Sequence, residues 1–552
     1  MKKAMFLLVF CLTALWLAAQ SPEWLWAKQA GGPGGEYAYD IAMDSQGNQY
    51  VTGYFYGTAT FGSYTLTSSG EFGIFIAKMN GYGHWLWAVS AGGSFYEYGK
   101  DIAVDGSGNT YLTGYFWGAA IFGPYTLTSS GPGDIFAAKL DSEGNFLWAV
   151  KAGGTGIDEG SGIAVDGNGN TLLTGWFQNT ASFGTYTLTS GGSDDIFAAK
   201  LDSTGNWLWA VRAGGTSGAR GIGIAVDGDG NALMSGAFWG TASFGTQTLT
   251  SSGGSDIFAA KLGTSGNWLW AVKAGGDGSD FGRGIAVDGY GNAFLTGHFS
   301  SLATFGYSTL HSSVNQEIFV AMLDGSGFWV GALSAGGTLV DYGSGIAVDG
   351  SGNVYLTGEF EGTASFGDNT LTSSGGFDIF AAKLDPGFSW LWAVQAGGTQ
   401  NDRGYSIAVN ESGNACLTGD FESTSSFGTL TLTSNGYVDI FIAKLSNSTL
   451  VSDEYGVPQA HFSLGQNHPN PFTNSTSIEL EVSDAKSIYE VSVYDLRGRH
   501  ICTLHRGILP AGKHAFTWNG KDASEKELSS GVYFYRVSNG ISSQVKKMIY
   551  VR

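Results

Sequence analysis

The side chains best placed for chemistry in this chain are carboxylates and aromatics that return at a fixed interval. One position holds an acid in six copies of seven: Glu36, Glu97, Asp158, Asp280, Asp341 and Asp402, with Ala219 beside Arg220 in the remaining copy. A collar of this kind could attract cations or a basic ligand. An acid repeated in nearly every copy is better read as building its own loop, by accepting backbone N–H groups there. A second set is asymmetric. The positions flanking a recurrent Phe read Tyr54/Tyr56, Tyr115/Trp117, Trp176/Gln178, Ala237/Trp239, His298/Ser300, Glu359/Glu361 and Asp420/Glu422. Strand alternation puts both members of each pair on one side, opposite the Phe. The first four copies are then aromatic and the last two acidic. An aromatic half-face suits stacking on sugars or protein, and the competing role is packing between repeats. The candidate binding residues are therefore Tyr54, Tyr56, Tyr115, Trp117, Trp176, Trp239, Glu359, Glu361, Asp420 and Glu422.

Catalytic sets are harder to assemble. Glu359 with Asp420 is the first pair to test for glycoside chemistry, which needs two facing carboxyl groups. Only His84, His298 and His311 occur in the repeats, at unrelated repeat positions, and no Gly-x-Ser-x-Gly elbow, His-Glu-x-x-His helix or phosphate loop is present. The Trp-Leu-Trp elements (Trp85/Trp87, Trp207/Trp209, Trp268/Trp270, Trp390/Trp392) recur too regularly for a ligand site and read as packing, with Gly331 a local departure. Asp227-Gly-Asp229-Gly-Asn231 looks like a calcium loop, but Phe238 stands where the twelfth-position acid belongs, so a hairpin turn is the better reading. Cys11, Cys416 and Cys502 make neither a disulfide framework nor a metal spacing. No cofactor, metal site or catalytic residue is assigned, and calcium is unsupported.

The elements that must position these residues follow from the repeat itself. The Ala of Ala-Gly-Gly falls at Ala30, Ala91, Ala152, Ala213, Ala274, Ala335 and Ala396, 61 residues apart each time. The Ile of Ile-Ala-Val-Asp and the Phe of Phe-x-Ala-Lys keep the same step, so seven copies run without insertion. Within a copy, β-branched and aromatic runs are punctuated by Gly, Asn and Asp, which predicts four main strands, A to D, and a small extra hairpin between B and C. The chain enters with a lone strand-D element, Trp24-Leu-Trp-Ala27, and leaves the repeats after a strand-C element, Ile440-Phe-Ile-Ala-Lys444. Pairing the two would close a seven-bladed β-propeller and hide both sheet edges. An open solenoid would carry distinct caps. Composition agrees with many short strands: 88 Gly, 14% aromatic and only 13% charged residues. A formal charge of −20 argues against a nucleic-acid partner. In such a ring the A–B and C–D turns share one face; the variable B–C and D–A connections share the other, where binding is expected.

The pattern Asp-Ile-Phe-Ala-Ala-Lys-Leu-Asp, Gly-Asn, Trp-Ala, Gly-Gly, Gly-Ile-Ala-Val-Asp, Gly-Asn and Leu-Thr-Gly resembles the bacterial extracellular β-propeller repeats called SBBP repeats, over about 420 residues. The resemblance implies a fold and little about activity. Residues 446–461 break the period as a linker, and 462–552 differ in composition, with eleven Lys and Arg against eight Asp and Glu, so the acidity belongs to the repeats. Short alternating runs there predict an immunoglobulin-like β-sandwich. The module is similar to the type A C-terminal sorting domains of the type IX secretion system. The residues that carry the likeness include Pro469, Asn470, Pro471 and Phe472, then Gly498, Gly512, Gly531, Tyr533 and Lys547. This likeness implies partners in the Sec translocon and the type IX machinery, engaged through 462–552, and release or attachment at the outer surface of a Gram-negative bacterium. A plain immunoglobulin-like accessory domain is the alternative.

Residues 1–19 read as a secretory signal peptide, with Lys2 and Lys3 before an apolar run too short to span a bilayer comfortably. The sequence thus points to an exported, cell-surface or released propeller with no transmembrane segment in the mature chain, monomeric, and binding an extracellular protein or glycan without catalysis. The alternatives are a polysaccharide hydrolase or lyase and a structural surface-layer component.

Overall fold

The computed structural model describes residues 21–312, 316–446, 462–482, 488–495, 499–523, 526–538 and 543–552. The leader expected at 1–19, the linker beyond Ser446 and Gly498 lie outside them. The described residues are all-β, and no helix is long and apolar enough to cross a membrane. The chain divides into two compact units, residues 1–450 and 451–552.

In the first unit the second repeat shows the common plan. Strand A (Glu97–Val104), B (Thr110–Phe116), C (Asp134–Leu140) and D (Phe146–Gly154) pair antiparallel in that order. Strand C is buried along its whole length, which is why it reads Ile-Phe-Ala-Ala rather than alternating, while D turns Leu147 outward. Strand A lies innermost. The A strands neighbour one another in cyclic order, and Glu36–Met43 lies beside both Glu97–Val104 and Asp402–Val409. Trp24–Ala30 pairs with Asp439–Leu445, Ala27 opposite Ala443, so the first strand completes the last sheet. Both otherwise open edges are thereby paired.

Three local devices explain the repeat motifs. The turn Asp105-Gly-Ser-Gly-Asn109 is held by its own Asp: Asp105 Oδ1 accepts the N–H of Ser107 (2.9 Å) and Asn109 (3.0 Å), while Oδ2 accepts from Asn109 Nδ2 (2.7 Å). Gly108 there has φ +79°, a value that favours glycine. Asp227 is used in the same way, with Lys261 Nζ at 2.9 Å from its Oδ2. The Ala-Gly-Gly motif makes room for the extra hairpin. Ala119–Phe122 and Tyr125–Thr128 form that hairpin, which pairs with the preceding blade's strand D at Gly92 and Gly93. A Cβ on Gly154 would lie 1.8 Å from the carbonyl oxygen of Thr180 in the next hairpin. Finally, the second Trp of a strand-D element reaches into the next blade's C–D turn. Trp87, Trp148 and Trp209 Nε1 donate to the carbonyls of Ser142 (2.9 Å), Ser203 (3.2 Å) and Thr264 (3.0 Å). In the copy where Gly331 stands in place of that Trp, the first Trp, Trp329, donates its Nε1–H to Lys273 O at 3.1 Å, as Trp24 does to Gln395 O at 3.3 Å. The first Trp packs edge-on against the hairpin Phe, as Trp85 on Phe61 at 5.2 Å and Trp24 on Phe427 at 5.2 Å.

The second unit holds two antiparallel sheets. One comprises Phe462–Leu464, Thr476–Val482 and Gly512–Trp518; the other runs His500–Ile508, Ile488–Tyr494, Gly531–Ser538, Ser543–Tyr550. Trp518, Tyr489, Tyr535, Phe472 and Met548 fill the space between them.

Candidate functional site

The inner strands bound a central cavity of about 510 Å3. One position per repeat faces it, filled in turn by Tyr39, Lys100, Ser161, Ile222, Arg283, Ser344 and Tyr405. A second cavity of about 460 Å3 opens where the A strands begin and the B strands end, on the side of the B–C and D–A connections. Phe281, Arg283, His298, Gln316, Tyr342, Glu359, Phe377 and Arg403 line it. Phe281 and Arg283 border both spaces, so the two adjoin at the channel mouth.

Register explains the lining. The first member of each flanking pair on strand B stands opposite the residue after the collar position on strand A: Tyr37 with Tyr54, Tyr98 with Tyr115, Glu159 with Trp176, Phe281 with His298, Tyr342 with Glu359, Arg403 with Asp420. Stacking follows, with Tyr37 on Tyr54 at 4.9 Å, Tyr98 on Tyr115 at 4.8 Å and Phe281 on His298 at 5.1 Å. Tyr54 also meets Tyr98 of the next repeat at 4.6 Å. The aromatic cluster is centred on the first two repeats. In the third, Arg220 caps Trp176 at 4.6 Å, and in the fourth Trp239 packs edge-on against Phe281 at 5.7 Å. The outer members differ: Tyr56 is exposed, while Trp117 is half-buried against Tyr96 at 5.5 Å.

The acidic copies are not an open acidic face. Glu359 and Asp420 are buried and converge on Arg403, whose Nε lies 3.1 Å from Glu359 and whose Nη1 lies 3.9 Å from Asp420. Burial pushes Asp420 up to about 7 against the pull of the Tyr405 hydroxyl and Arg403, and burial likewise raises Glu359 against Arg403 and Arg283. Glu361 and Glu422, one alternation further out, are half-buried. On the inner strands Asp101 is raised by burial and by the neighbouring Asp40, and each accepts the N–H of the next repeat's Ile, Ile163 at 2.7 Å and Ile102 at 2.9 Å.

The collar acids sit within their own loops. Gly32, Gly154, Gly276, Gly337 and Gly398 donate N–H to Glu36 (3.0 Å), Asp158 (2.7 Å), Asp280 (2.9 Å), Asp341 (2.9 Å) and Asp402 (2.7 Å). All six acids, Glu97 included, are buried. Burial outweighs those bonds and pushes Glu36 up to about 8, Glu97, Asp341 and Asp402 to about 7, and Asp158 and Asp280 to about 6. A second acid, opening strand C, joins each of several collars: Asp134 beside Asp158, Asp256 beside Asp280, Asp378 beside Asp402 and Asp439 beside Glu36. Lys151 and Lys273 neutralise two of these at 2.9 and 2.8 Å. Sequence reading passed over this second acid, although the Asp of Asp-Ile-Phe-Ala-Ala-Lys recurs at the repeat interval. It also passed over the inner-strand residues Phe281, Arg283, Tyr342 and Arg403. Their signal is a variable position set among invariant ones in strand A. Among the described residues no group of three or more His, Cys, Asp and Glu is placed to hold a metal.

In the second unit the residues of the sorting-type motif serve the sandwich itself. Asn470 Oδ1 accepts the N–H of Ile549 (2.8 Å), and Phe472 packs on Tyr550 at 5.1 Å and Trp518 at 5.6 Å. Pro469 O accepts from Thr476 Oγ1 at 2.8 Å, and Tyr533 OH donates to Ser529 O at 2.9 Å beside Trp518. Pro471 lies between Asn470 and Phe472, Gly512 and Gly531 open two of the strands, and Lys547 is exposed.

Comparison with known proteins bears on both units. The β-propeller repeat (SBBP) model matches residues 25–54, 269–298 and 333–359, and the FlgD Ig-like domain model matches 468–542. A WD repeat-containing protein of Acanthamoeba polyphaga mimivirus is 24% identical over 503 residues, covering 72% of this chain and 36% of its own length. The chain thus spans about a third of the curated relative it matches. Among solved structures, a fungal alcohol oxidase of the AA5 family is similar at TM-score 0.40 and 12% identity, over 97% of this chain and 100% of that one. PorZ, a surface component of the type-IX secretion system of Porphyromonas gingivalis, is similar at TM-score 0.21 and 12% identity, over 95% and 100%. Scores this low carry nothing about activity or partner. SBBP-type propeller repeats followed by an FlgD Ig-like domain are what the sequence matches establish for this chain.

Proposed function

We propose that the first unit is a closed seven-bladed propeller that acts as a non-catalytic binding module, taking its ligand at the channel mouth on the B–C and D–A side. The observation that carries this reading is the meeting of two cavities, of about 510 and 460 Å3, at Phe281 and Arg283, lined by both aromatic and charged side chains. A concave space with a few converging polar groups is the default seat of a small ligand or chain end. Asp420 is fully buried away from the cavity, and Glu359 at its wall is paired with Arg403, so the two carboxyl groups do not face one another across open space. A glycosidase needs both of its carboxyl groups at the scissile bond, so this geometry supports binding over hydrolysis.

The second part of the proposal is export to the cell surface or medium, with the C-terminal sandwich as the address read by the type IX machinery. It is supported by the order of its motif residues from Pro469 to Lys547 and by the apolar run that follows Lys2 and Lys3. The deciding experiment is a glycan and polysaccharide array with the purified full chain, scored for retention and for release of reducing ends. Retention without release is the expected result. Release of reducing ends would overturn the non-catalytic reading, and silence on both counts would overturn a glycan ligand.

A further inference from the structure

We propose that the mouth cavity is an acidic-sugar site in which Arg283 receives the carboxylate of a uronate residue, an inference that rests on the channel mouth being a ligand site. Four cationic side chains project from the inner strands, and three are engaged. Lys100 lies 3.9 Å from Glu159, Arg220 lies 2.5 Å from Asp194, and Arg403 lies between Glu359 and Asp420. Arg283 stands apart. Among the described residues it has no ion pair, its one side-chain hydrogen bond is a long one to Ser344 Oγ at 3.5 Å, and its guanidinium lies 5.4 Å from the centre of the Tyr342 ring. Glu359 is close enough to sense its charge but is held by Arg403. An arginine fork that faces a cavity, in a chain of net charge −20, is a place for an anion with two oxygens.

His298 supplies an independent observation that a ligand belongs there. It is 4% exposed, lines the same cavity, and its Nδ1 has no hydrogen-bond partner. A buried polar nitrogen left without a partner is costly unless something else satisfies it. Burial, reinforced by Arg283, holds the imidazole neutral by pushing it down to about 3. A neutral ring nitrogen pairs with a hydroxyl, whereas a cation pairs with a carboxylate. Arg283 and His298 line one cavity, and a molecule that carries both groups fits the pair. Phe281, Tyr342 and Phe377 add apolar faces on which a sugar ring can stack. A volume of about 460 Å3 suits one or two sugar residues rather than a folded domain.

The test is calorimetric titration of the full chain with tetramers of galacturonate, mannuronate and guluronate, each alongside its fully methyl-esterified, neutral form. At least one acid form should bind about tenfold or more tighter than its ester, as expected for loss of a charge-assisted pair. Arg283→Gln should bring that acid down to the level of the ester and leave the ester within about twofold, while Arg283→Lys should recover part of the difference. Thermal unfolding of each variant separates loss of the site from loss of the fold. The ester comparison uses the unaltered chain and needs no variant. Equal binding of acid and ester, or an Arg283→Gln variant that still prefers the acid, would overturn the inference. If only neutral glycans bind, the acidic-sugar inference fails while the binding module stands; if no glycan of either kind binds, the acidic-sugar inference fails and so does a glycan ligand for the module.

Discussion

Arg403 is the residue on which the acidic side of the mouth depends. It bridges two buried carboxylates, Glu359 at 3.1 Å and Asp420 at 3.9 Å, and its own side chain is 30% exposed. Removing a partner from a buried ion pair is worse than never having had the pair, because the remaining charge stays desolvated. Arg403→Ala should therefore cost about 2 kcal/mol, discounted from the fully buried case for its exposure, and be read as a lower urea midpoint at pH 8. At pH 5 the same variant should lose less, because Asp420, already raised to about 7, takes up a proton there and the orphaned charge disappears. Equal losses at the two pH values would show that Arg403 acts through packing alone. The identities of Glu359 and Asp420 were plain in the sequence. Their neutralisation was not, because Arg403 lies on a different strand and reaches Glu359 of another repeat only through the ring.

At the scale of the strand, what joins one sheet to the next is a Trp on strand D reaching the C–D turn that follows. Trp148 is 7% exposed and its Nε1 donates to Ser203 O at 3.2 Å. Trp148→Phe keeps most of the apolar contact and removes that donor, so the expected loss is about 1 kcal/mol. Leu147→Ala, one residue away on a side chain 45% exposed, should stay within about 0.5 kcal/mol. Urea unfolding of the pair checks this, and equal losses would deny the Trp its role between sheets. Element existence was legible because the alternation and turn chemistry are strong: Asp-x-x-Gly-Asn can only be a tight turn when its Asp collects two N–H groups. The second unit was less legible. Its runs at Ser477, Tyr489, His514 and Val532 fall within observed strands, whereas Phe462–Leu464, His500–Ile508 and Ser543–Tyr550 went unread. Phe462–Leu464 is only three residues long, and the other two mix basic and apolar residues without clean alternation, so all three become strands through their partners rather than by pattern.

For the whole first unit, the collar gives an unusual dependence on pH. Glu36, Glu97, Asp158, Asp280, Asp341 and Asp402 are all raised by burial, to between about 6 and about 8, from ordinary values of 4.5 for Glu and 3.8 for Asp. Between those ordinary values and the raised ones the folded chain binds more protons than the unfolded chain. Stability must then fall as pH rises through that window and level off above about 8. The turn acids Asp105, Asp166, Asp202 and Asp227 act in the other direction. Hydrogen bonds from Lys261 at Asp227, from Lys200 at Asp166, and from Asn and backbone N–H groups throughout overcome burial and lower them, so their contribution is lost as pH drops below 3.8. A stability maximum near pH 4 to 5 is expected, with an apparent Tm several degrees lower at pH 8.5 than at pH 5. Calorimetry across that range checks it, and a profile that rises towards neutral pH would mean the collar stays charged in the folded chain.

The sequence by itself determined the repeat, its strands, its turns and the chance for the ends to meet, because each of these depends on residues near one another in the chain or on a fixed 61-residue step. Ala-Gly-Gly, Leu-Thr-Gly and Trp-Leu-Trp recur because every blade meets its neighbour in the same way. The site depends on what differs between copies. Phe281, Arg283, His298, Tyr342, Glu359 and Arg403 come from three successive repeats and meet only at the channel mouth. Which of them would be buried, paired or left facing open space was decided by tertiary structure, since ring closure sets the distances between inner strands and distance sets charge pairing and desolvation.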